Sequence, residues 1–399
     1  MRAVFATTLA LLALPASADG HLDLSVDLRL IGADSRTSWL DDGLGKLRFD
    51  ENHDGLQVGR LRAAWNQAFG ETLNLRIDAS LWRFSDHHAF DLTEAYLEYR
   101  PYPNAGWRSR VKLGAFYSPI SFEHRAGGWT NPYLISSSAI NTWVGDELRT
   151  IGAEYSLEWL GTRLGHDFDL GLVAAVYGWN DPAGVLMASR GWTLHDRQTT
   201  LFDKVGQPGI WPVPGRVLFK EIDQRPGYYY GAQLRYLDRV ELRYLHYDNR
   251  ADPERFDPGI NDFAWLTYFD SVGLRVETVN GWTLIAQWLG GETAIEPESG
   301  YEEWKYSAKF ALVSKAIGRH RISLRADWFD TDHYQTSFPP GDTETGSAWT
   351  AGYSYARDDH WGFAIEALQV KSDVTSRARI GEAPNATERQ LQLQLRYAR

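Results

Sequence analysis

About sixteen segments with alternating apolar and polar residues, joined by connections that are short and long in turn, constrain the fold of this chain. In the first segment, Leu22, Leu24 and Val26 alternate with Asp23 and Ser25. A period of two is typical of a strand with one apolar and one wet face. A closed barrel in a bilayer needs this pattern with its apolar face turned to lipid. The sequence therefore predicts an all-β protein, a transmembrane antiparallel β-barrel of about sixteen strands.

The predicted strands cover residues 22–31, 57–69, 73–84, 90–100, 108–116, 148–158, 167–178, 227–237, 239–247, 269–279, 282–291, 304–314, 320–330, 347–357, 361–371 and 388–397. Fourteen or eighteen strands also fit the pattern. Even-numbered connections are tight, and Asn280-Gly281 in one of them indicates a type I′ hairpin turn.

The odd-numbered connections are long and polar, for example 32–56, 117–147, 179–226 and 331–346. Bacterial barrels place short turns on the periplasmic side and long loops outside. A soluble sandwich has no reason to sort its connections in this way. The sorting therefore favours a membrane barrel with both termini in the periplasm.

Residues 1–18 are predicted to be an export signal, and 19–399 a single outer-membrane barrel. Arg2 supplies the positive charge, residues 3–14 form an apolar core, and Ala16-Ser17-Ala18 supplies the small residues of a cleavage site. A membrane-spanning helix is the alternative. The charge-free stretch 3–18 is shorter than the roughly 20 residues that such a helix needs.

The composition excludes several other classes of protein. Nothing after Ala18 is long and apolar enough for a transmembrane helix, and the mean hydropathy is −0.40. The chain has no cysteine, so it has neither disulfides nor a thiolate metal site. Aromatic residues make up 14% of the chain, an excess that interfacial girdles of Trp and Tyr would use. We expect no cofactor and no nucleic-acid partner.

Strand alternation also assigns side chains to the lumen. Leu61 falls on the lipid face, so its neighbours Arg60 and Arg62 fall on the inner face. The predicted pore-lining residues share this inward parity: Arg60, Arg62, Arg76, Glu94, Glu98, Arg108, Arg110, Lys112, Arg321 and Arg325. Rings of basic residues favour anions. The alternative is a solvated wall whose charges pair locally, with Glu94 and Glu98 as partners.

The connection 117–147 is predicted to fold into the barrel and narrow it, with a surface loop as the alternative. Its predicted constriction residues are Glu123, His124, Arg125, Asp146 and Glu147. We expect its acids to lie opposite the basic wall that contains Arg76, Arg110 and Lys112. Such an arrangement would set up a transverse field across the pore.

Two neighbouring stretches resemble a known family. Residues 92–99 read LTEAYLEY, and 111–119 read VKLGAFYSP, followed by Phe122-Glu123. This stretch resembles the bacterial phosphate-selective porin family. In that family a strand containing EAY precedes a segment like residues 111–119, which leads into the third outer loop. The resemblance implies a sixteen-stranded barrel, a homotrimer and passive transport. The anion selectivity of that family depends on arrays of Arg and Lys in the lumen, whereas this chain is acidic, with a formal net charge of −11. Of the family's pore residues, the resemblance therefore implies only the basic positions Arg108, Arg110 and Lys112.

The predicted function is an outer-membrane porin for small hydrophilic solutes, with a mild, phosphate-like anion preference. Its expected partners are membrane lipid, lipopolysaccharide and the solutes themselves. The alternative is a structural or adhesive barrel without an open pore, which would need a lumen filled by apolar or paired side chains.

No catalytic or metal-binding residue is predicted. An outer-membrane hydrolase needs a serine and a histidine that meet on one strand face, and His320 and Ser323 have opposite parity. His87-His88, with Asp86 nearby, is explained better by a polar turn than by a metal site.

Overall fold

The computed structural model describes residues 20–82, 90–207, 213–336 and 341–399. In these ranges the chain forms one closed antiparallel barrel of sixteen strands, in which each strand pairs with the next and the last closes on the first. The predicted fold class is thereby confirmed. The predicted export signal and the His87-His88 turn lie outside the described residues.

The barrel strands β1 to β16 are, in chain order, Gly20–Asp34, Gly55–Phe69, Leu73–Leu81, Asp91–Tyr99, Trp107–Phe116, Thr150–Trp159, Phe168–Gly178, Gly227–Tyr236, Val240–Asp248, Leu266–Glu277, Trp282–Ile295, Glu302–Ile317, His320–Gln335, Thr343–Ala356, Trp361–Val374 and Asn385–Ala398. Each predicted strand corresponds to one of them. Leu28 on β1 faces Leu395 on β16 where the sheet closes.

The other elements lie in the connections. Helix α1 spans Ala139–Glu147 and helix α2 spans Val185–Arg190. Short 3-10 helices cover Trp39–Asp41, Glu51–His53, Gly161–Leu164 and Thr375–Ile380, and two small hairpins pair Lys204–Gln207 with Val213–Val217 and Phe256–Asp257 with Asp262–Phe263. Among the described residues, no helix is both long and apolar enough to cross a bilayer.

The barrel has a turn end, where the short connections lie, and a loop end, where the long ones lie. The hairpin predicted at Asn280-Gly281 joins β10 to β11 at the turn end. Gly281 takes the left-handed conformation at φ +80°, but Asn280 does not. A type I′ turn needs positive φ at both central residues, so the hairpin was predicted correctly and its turn type was wrong.

The two barrel faces follow the predicted parity on most strands. Leu61 and Leu324 are 36% and 51% exposed on the outside, whereas Arg60 is buried on the inside. Strand β12 differs, because its Tyr306 is buried inside and its Lys309 is exposed outside. The reason is tertiary: inner loops supply an apolar surface against the inner face of β12.

The connections 35–54 and 117–149, and the described residues 179–207 and 213–226 of a third connection, turn into the barrel from the loop end. One apolar core joins them to the inner wall, and it includes Leu47, Trp143, Trp192, Leu289 and Tyr306. The rings of Trp143 on α1 and Tyr306 on β12 lie 5.1 Å apart. The loop-end half of the lumen is therefore packed like a protein interior.

The outward parity is tested by Leu324→Arg. We expect this change to lower the free energy of unfolding by roughly 2–4 kcal/mol, because a cation then faces hydrocarbon near the middle of the apolar band. Urea unfolding in lipid vesicles measures it. Leu324→Met is the matched control, and equal stability of the two variants would contradict the outward placement of this side chain.

Candidate functional site

The loop 117–149 is anchored inside the barrel by the buried carboxylate of Glu123. This carboxylate accepts hydrogen bonds from the backbone N–H of Ser138 (2.7 Å) and from the Asn141 side chain (2.9 Å). Ser138 is also the N-cap of α1, since its hydroxyl accepts from the Asn141 backbone N–H. Glu123 thus fixes the start of the helix within the lumen.

Arg325 on β13 holds the same loop from the opposite wall. Its guanidinium donates to the carbonyl oxygens of Ser136 and Ser137, both at 2.8 Å, and to Asp327 at 2.8 Å. It also lies 3.4 Å from Glu123, and its side chain is fully buried. The loop therefore spans the lumen and is bonded to the far side.

His124 lies at the inner edge of the loop in a neutral form. Its Nδ1 is 2.9 Å from the Ser121 hydroxyl and its Nε2 is 2.9 Å from the Ser137 hydroxyl. Its ring stacks on Trp129 at 3.9 Å, and Trp129 stacks on Tyr117 at 4.2 Å. Burial lowers the pKa of His124 to about 4, because the charged imidazolium would lose its hydration.

Asp196 ties the connection 179–226 to the barrel wall. It accepts hydrogen bonds from Arg29 on β1 and from Arg48 in the first inner loop, both at 3.1 Å. Burial alone would raise the pKa of Asp196, but these two guanidinium groups hold it well below its usual range. Asp196 is therefore an anion that bridges two loops and a strand.

A cavity of about 80 Å³ lies between the wall of β1, β2 and β16 and these loops. We call it the arginine chamber. Its charged lining residues are Asp27, Arg29, Arg60, Arg62, Asp196 and Arg396, and the neutral His124 lines it as well.

Two guanidinium groups of the arginine chamber have no carboxylate partner among the described residues. Arg60 donates to the Ser80 hydroxyl (3.0 Å) and to the Gly128 carbonyl (3.1 Å), and Arg396 forms no ion pair with any described residue. By contrast, Arg29 pairs with Asp27 and Asp196. The chamber therefore has an excess of positive charge.

The basic wall predicted on β3 to β5 lies nearer the turn end, and its charges pair locally. Arg76 lies 3.7 Å from Glu94, and Arg110 lies 4.0 Å from Glu98. Lys112 lies 3.6 Å from Glu154. The local pairing by Glu94 and Glu98 that the sequence left as the alternative is thus present in the structure.

The remaining basic residues predicted to line the pore have other partners. Arg108 bonds Glu158 at 2.8 Å and stays partly exposed. Arg62 pairs with Asp78. Arg321 donates to the Ser314 hydroxyl at 2.9 Å. These cations lie on the inner face of the barrel.

The predicted opposition between loop acids and the basic wall is wrong. Asp146 pairs with Arg190 and lies 3.2 Å from His195. Glu147 accepts a hydrogen bond from the Leu186 backbone N–H at 2.6 Å, and burial raises its pKa to about 7. The loop acids are occupied inside the core, so none is left to face the wall.

Glu123 and Arg125 depart from the same prediction. Glu123 lies beside Arg325, and Arg125 reaches across the lumen to pair with Glu241 on β9. Both contacts join the loop to strands on the far side of the barrel. The wall of β3 to β5 therefore has no ion pair with these residues.

Sequence reasoning missed several residues of the arginine chamber. Arg29 and Arg396 alternate with apolar neighbours, so strand parity was a sufficient signal for both. Asp196 and Trp129 lie in irregular loops without periodicity. Nothing in the local sequence could place them beside β1 and β2.

Two loop clusters bring ligand-type atoms within 4.8 Å of one another: Asp41, Asp50 and His53, and Asp181, Glu221 and Asp223. In the first, Asp50 and His53 bond each other at 2.8 Å. In the second, Asp181 accepts from backbone N–H groups. We assign no metal to either cluster. The serine and histidine considered for catalysis also stay apart, since Ser323 is buried inside and His320 is exposed outside.

Known proteins resemble this chain in fold alone. No protein-family model and no curated protein matches the sequence. The outer membrane channel DcaP of Acinetobacter baumannii is 12% identical with a TM-score of 0.56, over 97% of this chain and 99% of that one. OmpF of Salmonella typhi, in complex with daunomycin, is 10% identical with a TM-score of 0.53, over 95% and 97%. OmpT of Vibrio cholerae in its trimer form is 10% identical with a TM-score of 0.51, over 95% and 99%.

These likenesses show the sixteen-stranded barrel that outer-membrane porins share. The narrower resemblance to phosphate-selective porins stays a prediction.

The anchoring role of Arg325 predicts a large effect of Arg325→Ala. Removing this guanidinium leaves Glu123 and Asp327 buried without their cation, so we expect a loss of roughly 3–5 kcal/mol. Urea unfolding measures the loss. Arg321→Ala removes a partly exposed arginine from the same strand and is the control; equal effects would contradict the anchoring role.

The buried neutral His124 predicts a pH dependence. Its folded pKa of about 4 lies below its usual 6.5, so between these values the unfolded chain binds a proton that the folded chain does not. Stability is therefore lost as the pH falls from 6.5 towards 4. Heat-unfolding midpoints across this range should fall less in His124→Gln than in the natural protein. Parallel curves would show that His124 does not titrate in this way.

Proposed function

We propose that the protein is a bacterial outer-membrane porin, a water-filled channel for passive diffusion of small hydrophilic solutes with a mild preference for anions. The observation that carries this proposal is the arginine chamber between the barrel wall and the inner loops. The unpaired Arg60 and Arg396 make its local charge positive, and such arrays favour anions. Acids of outer loops farther than about 8–10 Å are largely screened at physiological salt.

The turn-end half of the lumen supports the same function. The side chains of Arg108 and Arg110 remain 31% and 35% exposed inside the barrel, so water reaches them. A solute would pass this wall and the arginine chamber in sequence. The pore-lining role of both sets of residues is part of the proposal, and loop 117–149 forms the constriction.

The proposed setting is the outer membrane, reached through the export signal at 1–18, with lipid and lipopolysaccharide around the barrel. We propose a homotrimer. The trimer form named for OmpT of Vibrio cholerae, a barrel of the same fold, supports this assembly. The proposal includes no cofactor and no catalytic step.

A structural or adhesive barrel without an open pore is the second candidate. One observation favours it: the loop-end half of the lumen is filled by an apolar core around Trp143, Trp192 and Tyr306. For this candidate the arginine chamber would be a closed, hydrated pocket. The two candidates differ in whether ions cross.

Planar lipid bilayers decide between them. Purified protein should give stepwise conductance if the pore is open. Absence of current, at protein amounts where a known porin conducts, would support the closed barrel and overturn the proposal.

Ion preference under a salt gradient tests the arginine chamber separately. We expect Arg60→Gln and Arg396→Glu to shift the reversal potential towards cations, because each removes an unpaired positive charge. Lys305→Glu, which changes an exposed lysine on the outer face, is the control. If the two chamber variants match this control, the ion filter lies elsewhere.

A further inference from the structure

The outer wall of the barrel carries a mostly polar row that contains two lysines and runs from the middle of β12 towards the loop end of β16. Across strands β12 to β16, neighbouring residues in register are Lys309, Trp328, Ser347, Lys371 and Thr387. Both lysines are exposed on the outer face. Cations in this position are costly near the bilayer midplane and nearly free at the interface. Each lysine lies on the loop-end side of the outward apolar residues of its own strand, next to Ala311 on β12 and beyond Ala367 on β15. Both lysines are therefore placed where the apolar band gives way to lipid headgroups.

Directly on the turn-end side of Lys309 lies an apolar groove. Its floor is formed by Ala286, Ala311 and Ala326, which face one another in register on β11, β12 and β13. Trp328 and Trp349, 40% and 63% exposed, stand at its rim. The groove encloses about 490 Å³. Small side chains between large ones leave a channel on a surface that otherwise contacts lipid.

The lysines at the head of the groove lack partners within the protein. In the part of the chain that the structure describes, neither Lys309 nor Lys371 forms an ion pair or a side-chain hydrogen bond. Lys305, on the same face, differs because it lies 3.1 Å from Glu303. Three strand spacings separate Lys309 from Lys371, about 14 Å. Two anionic groups on one headgroup could contact both.

Beside Lys371 lies a second, polar hollow of about 580 Å³ on the outer face of β14 to β16. Hydroxyl and amide side chains line it, among them Thr345, Ser347, Asn385 and Thr387. Asp373 also contributes to the lining. Such a lining provides donors and acceptors for sugar hydroxyls.

We propose that this wall binds a phosphorylated glycolipid of the outer leaflet, of the lipopolysaccharide type. An acyl chain lies in the alanine-floored groove, phosphates contact Lys309 and Lys371, and sugar hydroxyls bond in the polar hollow. Charge complementarity selects this occupant, because a second copy of the chain would have to bury two unpaired lysines. The site rests on the proposed outer-membrane location and is independent of an open pore.

Native mass spectrometry of the purified protein in detergent tests the site, with bisphosphorylated lipid A as the probe. We expect binding by the natural protein and at least about thirtyfold weaker binding by Lys309→Glu/Lys371→Glu, since each of the two lysines near a membrane surface is worth about 1 kcal/mol towards an anionic lipid. Ala311→Trp, which fills the groove, should weaken binding as well. Lys305→Glu is the matched control and should bind like the natural protein.

Three outcomes would overturn the site: equal binding by the double lysine variant and the control, equal affinity for phosphatidylglycerol and lipid A, or disulfide cross-linking between copies through Ala311→Cys. Conductance in bilayers separates this test from that of the pore. A protein that conducts but does not retain lipid A contradicts only the lipid site. One that retains lipid A but does not conduct contradicts only the pore.

Discussion

Closure of the sheet is the constraint on which the rest of this structure depends. A bilayer offers no hydrogen bonds to the backbone, so every strand must pair on both sides. Pairing of β1 with β16 meets this requirement and leaves no free edge. Closure also creates an interior that must be either wet or filled. Both solutions occur here, with exposed charges towards the turn end and packed loops towards the loop end.

Buried charges organise the packed half. Glu123 and Glu366 accept backbone N–H groups of the inner loop, and Arg325 donates to its carbonyl oxygens. The backbone of an irregular loop inside a barrel has no hydrogen bonds to a neighbouring strand. Its N–H and C=O groups therefore need side-chain partners of this kind. The ion pairs therefore hold loops in a lumen where strand pairing cannot. The arginine chamber lies where this bonding ends, and in the part of the chain that the structure describes no carboxylate pairs with Arg60 or Arg396.

The outer wall shows how packing inside the barrel affects the face outside. Strand β12 turns Tyr306 inward onto the loops, and the alternation then places Lys309 on the outer face. Because the inner positions of β12 around Tyr306 are apolar, lysines of this strand, Lys305 and Lys309, fall on the outer face. The same strand contributes to the lumen core and to the proposed lipid site.

The sequence by itself determined the barrel class, about sixteen strand segments and the inward position of Arg60 and Arg325, because a period of two sets both strand and face. The structure decided the count of sixteen among the fourteen to eighteen that the pattern allowed. The same alternation also indicates the inward position of Arg29 and Arg396. Only the tertiary structure decided which loop acid meets which cation, and it placed Glu123 beside Arg325 rather than beside the wall of β3 to β5. Loops have no period, so their side chains find partners only after the barrel has closed around them.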